Sequence, residues 1–120
     1  PYGCLVDHFQ HEIYENPDMT PEQRKETWSR LEKNYLPYRD YGDLEILNRG
    51  GYWYRQGHIF KDPFYYIDYV LAQICALNFY EKMQEDFDIA WNDYLKICKL
   101  GGKYSFFDLV KAGNLPNPFN

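Results

Sequence analysis

Apolar residues return every three or four positions through most of this chain, and nowhere do they alternate with polar ones over the length of a strand. That period dictates helices. Leu5, Phe9 and Ile13, with Val6 and Tyr14 beside them, predict a first helix over about residues 3 to 16, stopped by Asn16-Pro17. Thr20-Pro21-Glu22-Gln23 joins a capping hydroxyl to a proline at the first helical position and a glutamine three residues after the cap. Trp28, Leu31 and Tyr35 then follow on one face up to Pro37. Residues 38 to 62 read mostly as loop, apart from a short helical turn about Asp43 to Leu47, because the aromatic run from Trp53 to Phe60 has little period.

A third long helix is expected to open at Pro63 and run over about 63 to 84, buried in its apolar first half and wet after Glu81. Ala90, Trp91, Tyr94, Ile97 and Cys98 give residues 86 to 99 the same amphipathic pattern, with Gly101-Gly102 as a left-handed stop. Ser105 caps a last short helix to about Ala112, with Phe106, Leu109 and Val110 facing inward. The predicted class is all-α, a helical bundle.

At 120 residues the chain suits a single helical unit with its own core, expected to span positions 1 to 120. Apolar residues make up 45 % and charged residues 26 %, so the chain folds, with disorder expected only near the C-terminal Asn-Leu-Pro-Asn-Pro-Phe-Asn. Thirteen Tyr, eight Phe and three Trp exceed what a core of this size absorbs, so part of that ring surface is expected to meet something outside these residues. The net charge is −5 and the 13 Lys and Arg are scattered, which argues against nucleic acid as a partner. The longest apolar stretch, Phe64 to Phe79, contains Asp68, Gln73 and Asn78 and is shorter than the roughly 20 residues a bilayer needs, which argues against a membrane span. Cys4, Cys75 and Cys98 are odd in number and lack metal-type spacing, and no leader is read at Pro1, so a reducing, cytoplasmic setting is expected. The start at Pro-Tyr-Gly-Cys without methionine reads as a piece cut from a longer polypeptide.

Among the chemical candidates, His8 and His11 lie three apart on a helix and are followed by Glu12. The zinc signature His-Glu-x-x-His requires histidines four apart, and His11-Glu12-Ile13-Tyr14-Glu15 ends in the wrong residue. Solvated helix histidines are the default there, and no metal is expected on this segment. No nucleophile elbow and no phosphate loop occur, and Asp62 and Asp68 read as capping residues. What remains is His58 just upstream of Tyr65, Tyr66 and Tyr69. Tyrosines at helical spacing are most often core, yet phenols beside an imidazole are also hydrogen-bond donors suited to a developing oxyanion, and composition does not decide between the two.

The run His-Ile-Phe-x-x-Pro-Phe-Tyr-Tyr-Ile-Asp-Tyr-x-Leu-Ala-Gln from His58 resembles the C-terminal part of oligoendopeptidase F and its thimet-oligopeptidase-like relatives. So do Phe9-Gln10-His11-x-x-Tyr14-Glu15-Asn16-Pro17 upstream and Cys98-Lys99-Leu100-Gly101-Gly102 downstream. The resemblance implies a part of a mostly helical, zincin-like catalytic domain of a zinc metallopeptidase that cleaves short peptides in a deep channel. It implies that zinc is held in the full-length enzyme by a His-Glu-x-x-His helix and a downstream glutamate, both N-terminal to Pro1, and that this segment alone is inactive. By the same resemblance His58 is the substrate-facing histidine and Tyr66 and Tyr69 are the tyrosine pair, with Tyr65 able to take the place of Tyr66; Tyr69 and His58 rank above both. The expected partners are an oligopeptide substrate, the remainder of the same catalytic domain and, for the isolated piece, another copy of itself. The competing expectation is a stand-alone helical module that holds a peptide or protein on its aromatic face.

Overall fold

The computed structural model describes residues 1–119. These are all-α, as the periodicity predicts, with seven α-helices, two short 3-10 turns and no strand among the described residues. They group into two compact units, one spanning Pro1–Val70 and the other beginning at Leu71.

In the first unit, α1 (Tyr2–Glu15) buries Leu5, Val6, Phe9 and Ile13, and α2 (Pro21–Tyr35) buries Trp28 and Leu31. The stripe recurs at helical spacing because only those positions face one direction. The Thr20 hydroxyl accepts from the Gln23 N–H at 3.3 Å and the Gln23 amide oxygen accepts from the Thr20 N–H at 2.8 Å, forming the anticipated capping box. Arg24 secures the α1–α2 turn by donating to the carbonyls of Met19 and Pro17 at 3.1 and 2.9 Å.

In residues 38 to 62 the short helical turn expected about Asp43 to Leu47 is present as α3 (Glu45–Asn48), but the loop expected after it is instead a 3-10 turn (Gly51–Arg55) and α4 (Gly57–Lys61). Elements of four or five residues are too short to show a period, and what holds these is burial of Trp53 and Ile59, 5 % and 4 % exposed, against the α1–α2 core. Gly50, at φ +83°, makes the approach to α2 feasible, since a Cβ there would lie 2.0 Å from the Lys25 carbonyl oxygen.

The third long helix, α5 (Ile67–Glu85), does not open at Pro63. Pro63 instead sits in a turn closed by the Tyr65 N–H donating to the Asp62 carbonyl at 3.2 Å, with Phe64 at φ +60°. Proline followed by a positive φ is the signature of a type II turn, and it prevents the helix from starting there. Nor is the first half of α5 buried: Phe79 is its one buried residue, and Tyr69, Leu77 and Tyr80 stay half exposed or more. A helix apolar all round is buried only where neighbours cover every side, and the described residues do not cover this one.

From Leu71 on, α6 (Phe87–Leu100) is capped by the Asp86 carboxylate accepting from the Ile89 N–H at 3.0 Å. A 3-10 turn (Gly101–Lys103) follows, and α7 (Phe106–Ala112) is capped by Ser105. The core here is small: Phe79, Val110 and Leu115, with Cys75, Ile97 and Phe106 packed against it. The Asp93 carboxylate, buried beside that core, accepts from Lys82, from Lys96 at 2.6 Å and from the Asn114 amide at 3.1 Å. The tail expected to be disordered is thereby anchored at Asn114, and at Leu115 by its N–H donating to the Val110 carbonyl at 3.0 Å; Asn120 lies outside the described residues. Along α6, Phe87, Trp91 and Tyr94 stack in a ladder and all remain over 40 % exposed, Tyr94 also meeting the core ring of Phe79 edge-on at 5.7 Å. No helix among the described residues is long and apolar enough to cross a membrane.

Candidate functional site

His58 sits in the first turn of α4, whose end is closed by the Asp62 N–H donating to the His58 carbonyl at 3.0 Å. The Pro63-Phe64 turn then reverses the chain, so that Tyr65 and Tyr66 arrive beside the imidazole immediately before α5. The first turn of that helix is tight, with the N–H groups of Asp68 and Tyr69 donating to the carbonyls of Tyr65 and Tyr66 at 3.0 and 3.3 Å. Holding Phe64, a residue with a Cβ, at positive φ costs roughly 1–2 kcal/mol. Its ring lies 4.8 Å from that of His11 and 5.2 Å from that of Tyr14, contacts with α1 that offset the strain.

All four residues singled out in the sequence come together. The His58 ring centroid is 5.0 Å from Tyr66, 5.7 Å from Tyr69 and 6.3 Å from Tyr65; the first two contacts are edge to face and the third is parallel. Tyr69 lies 5.2 Å from Tyr66 and 5.5 Å from Tyr65. The phenols differ in setting. Tyr66 packs against the core, edge-on to Tyr2 at 5.9 Å, whereas Tyr65 and Tyr69 are 49 % and 50 % exposed. The phenol of Tyr69 is pushed above its ordinary value, first by partial burial and then by neighbouring Tyr65, Tyr66 and the Asp62 carboxylate. It therefore stays protonated, and a donor, throughout the neutral range.

Sequence reading passed over three residues that build this site. Gln56, the N-cap of α4, places its amide nitrogen 2.7 Å from His58 Nδ1, and its amide oxygen accepts from the Tyr2 hydroxyl at 2.8 Å. Gly3 lets α1 close onto the Tyr66–Val70 stretch, since a Cβ there would fall 2.2 Å from a Val70 methyl and 3.7 Å from the Tyr66 ring. Tyr2 and Gln56 are 54 positions apart, and no local motif signals such a pairing.

Among the described residues, no group of three or more His, Cys, Asp or Glu is placed to hold a metal ion. His8 lies 3.2 Å from Glu12 and 3.0 Å from the Tyr35 hydroxyl, and His11 lies 3.5 Å from Asp7. These side chains pair along α1 and with α2 rather than converge, so these residues do not fit zinc. A surface depression of about 790 Å³ between Asn16, Met19, Gln23 and Thr27 includes none of the four candidate residues.

Fold and site together define an all-helical chain that presents a cluster of phenols around an imidazole. Over 99 % of its length it is 60 % identical to a structure assigned as an oligoendopeptidase F, at a TM-score of 0.93. It is 51 % identical to a PZ peptidase A solved with an inhibitor, at a TM-score of 0.94, and 43 % identical to an oligoendopeptidase F assignment from Bacillus anthracis str. Ames, at 0.75; both matches cover 100 % of the chain. The chain belongs to the oligoendopeptidase F family. It spans about a fifth of the length of these relatives, 21 %, 21 % and 18 % respectively. No protein-family model and no curated protein matches it.

Proposed function

We propose that this chain is the C-terminal part of a zinc-dependent oligoendopeptidase and supplies the donors that grip a short peptide and stabilise the oxyanion of its scissile carbonyl. The observation that carries this reading is the convergence of His58, Tyr66 and Tyr69 within 5.0–5.7 Å of one another, with half of Tyr69 open to solvent. Neutral phenols and an imidazole N–H offer hydrogen bonds that strengthen as charge develops on the oxygen, which is what lowers a barrier. Tyr69 and His58 are the primary donors. Tyr66 or Tyr65 is the third, and the exposure of Tyr65 makes its hydroxyl the more accessible to a ligand. Zinc is assigned, on the family resemblance, to residues outside this chain.

The remainder of the catalytic domain is the partner best suited to the exposed ladder of Phe87, Trp91 and Tyr94, because contiguous exposed aromatic surface marks an interface. The same surface would drive self-association of the isolated chain. A cytoplasmic enzyme is the setting these free cysteines suit. Hydrolysis of a fluorogenic short peptide by the full-length protein, and its loss in His58→Ala, tests the reading; undiminished turnover in that variant would refute the role given to His58.

A further inference from the structure

The contact between Gln56 and His58 bears on which nitrogen of the imidazole carries the proton. A primary amide nitrogen has only hydrogens to offer, so with Gln56 Nε2 at 2.7 Å the His58 Nδ1 must accept. A neutral imidazole that accepts at Nδ1 is protonated at Nε2. In this orientation the amide oxygen faces away from the imidazole and accepts from the Tyr2 hydroxyl at 2.8 Å, so both ends of the amide are bonded.

Both partners are held firmly. The Tyr2 ring lies edge-on to Trp28, Tyr52 and Tyr66 at 6.4, 6.1 and 5.9 Å, with the Arg39 guanidinium 5.5 Å from its centroid. Burial pushes the Tyr2 phenol up to about 12, so it remains a donor under all ordinary conditions. The backbone of Gln56 is fixed by its N–H donating to the Trp53 carbonyl at 3.0 Å, which joins it to the buried 3-10 turn.

We propose that Gln56, anchored at its other end by Tyr2, is a positioning residue that holds His58 in its Nε2–H tautomer and so makes the imidazole a hydrogen-bond donor toward a peptide carbonyl oxygen. The inference rests on the reading that His58 faces substrate. In the other tautomer the free nitrogen would present a lone pair to the carbonyl oxygen, and the interaction would turn repulsive. A merely structural Gln56 would brace α4 without regard to the tautomer.

The test uses the full-length protein with 15N-labelled histidine, the His58 signals being identified by their loss in His58→Ala. The variants are Gln56→Met, which keeps bulk without hydrogen bonds, Gln56→Glu, which accepts at both positions, and Tyr2→Phe. With the ring neutral, the wild type should show a proton on Nε2, and Gln56→Glu should move it to Nδ1. In both Gln56 variants kcat should fall on the order of tenfold or more, with KM changed much less, and Tyr2→Phe should show a smaller loss of the same kind. A wild-type His58 protonated at Nδ1, or an unmoved proton and wild-type kcat in Gln56→Glu alongside lost activity in His58→Ala, would overturn this inference alone. Full hydrolysis by His58→Ala would overturn the functional reading, and this inference with it.

Discussion

The imidazole of His58 and the phenol of Tyr69 meet edge to face with their centroids 5.7 Å apart, one carried by α4 and the other by the first turn of α5. The Pro63-Phe64 turn between them makes this meeting possible, since a helix running straight on from Pro63 would have aimed the tyrosines elsewhere. The functional proposal depends on that reversal, and the hydroxyl at position 69 is the group whose removal tests it most cleanly.

In the full-length protein, Tyr69→Phe should lower kcat on the order of a hundredfold, because the lost bond matters most in the transition state. KM and melting temperature should change little, since the ring contacts survive and half of the residue is already solvated. Tyr66→Phe should cost less turnover, its ring being committed to the core beside Tyr2. Steady-state kinetics on both variants check this, and wild-type kcat in Tyr69→Phe would make the cluster structural.

Gly3→Ala should destabilise the first unit, because the new methyl would fall 2.2 Å from a Val70 methyl and force α1 away from the stretch that carries Tyr66. Overpacking of this kind costs about 1–3 kcal/mol. Urea denaturation measures it, and kcat should fall as well if the spacing of Tyr66 from His58 shifts. A variant as stable and active as wild type would show that the two segments have slack.

The Asp93 carboxyl is held well below the usual carboxylate range, first by its bond from Lys82 and then by those from Lys96 and Asn114. With the folded value below the ordinary 3.8, its contribution is present above that pH and lost as pH falls through the folded value. Stability should therefore decline progressively as the solution is acidified below about pH 4, and Asp93→Asn should flatten that decline while lowering stability at neutral pH. Denaturant midpoints measured against pH for both proteins decide it; parallel curves would refute the assignment.

The isolated 120-residue chain should bind no stoichiometric zinc and hydrolyse no peptide, since the described residues hold no ligand set. It should also bind a hydrophobic dye and self-associate through Phe87, Trp91 and Tyr94. Metal analysis, a quenched-fluorescent peptide and light scattering test these together. One-to-one zinc with turnover would refute the first part, and a dye-silent monomer at high concentration the second.

The sequence by itself determined that the long helices exist, the caps at Thr20 and Ser105 and the close spacing of the candidate tyrosines, because each depends on neighbours within one or two turns, whereas the start of α5 escaped it. Thr20 and Gln23 cap each other, Leu5, Phe9 and Ile13 share a face, and Tyr66 and Tyr69 are three apart. Only tertiary structure decided the rest. The 3-10 turn at Trp53 and the helix at Ile59 exist because a core formed by α1 and α2 accepts those side chains, and elements so short have no period to read. The turn at Phe64 places a non-glycine residue at positive φ, against local preference, and contacts with His11 and Tyr14 far along the chain compensate. The pairing of Tyr2 with Gln56 likewise spans 54 positions, a distance at which only the packed fold, and no local rule, brings two groups to 2.8 Å.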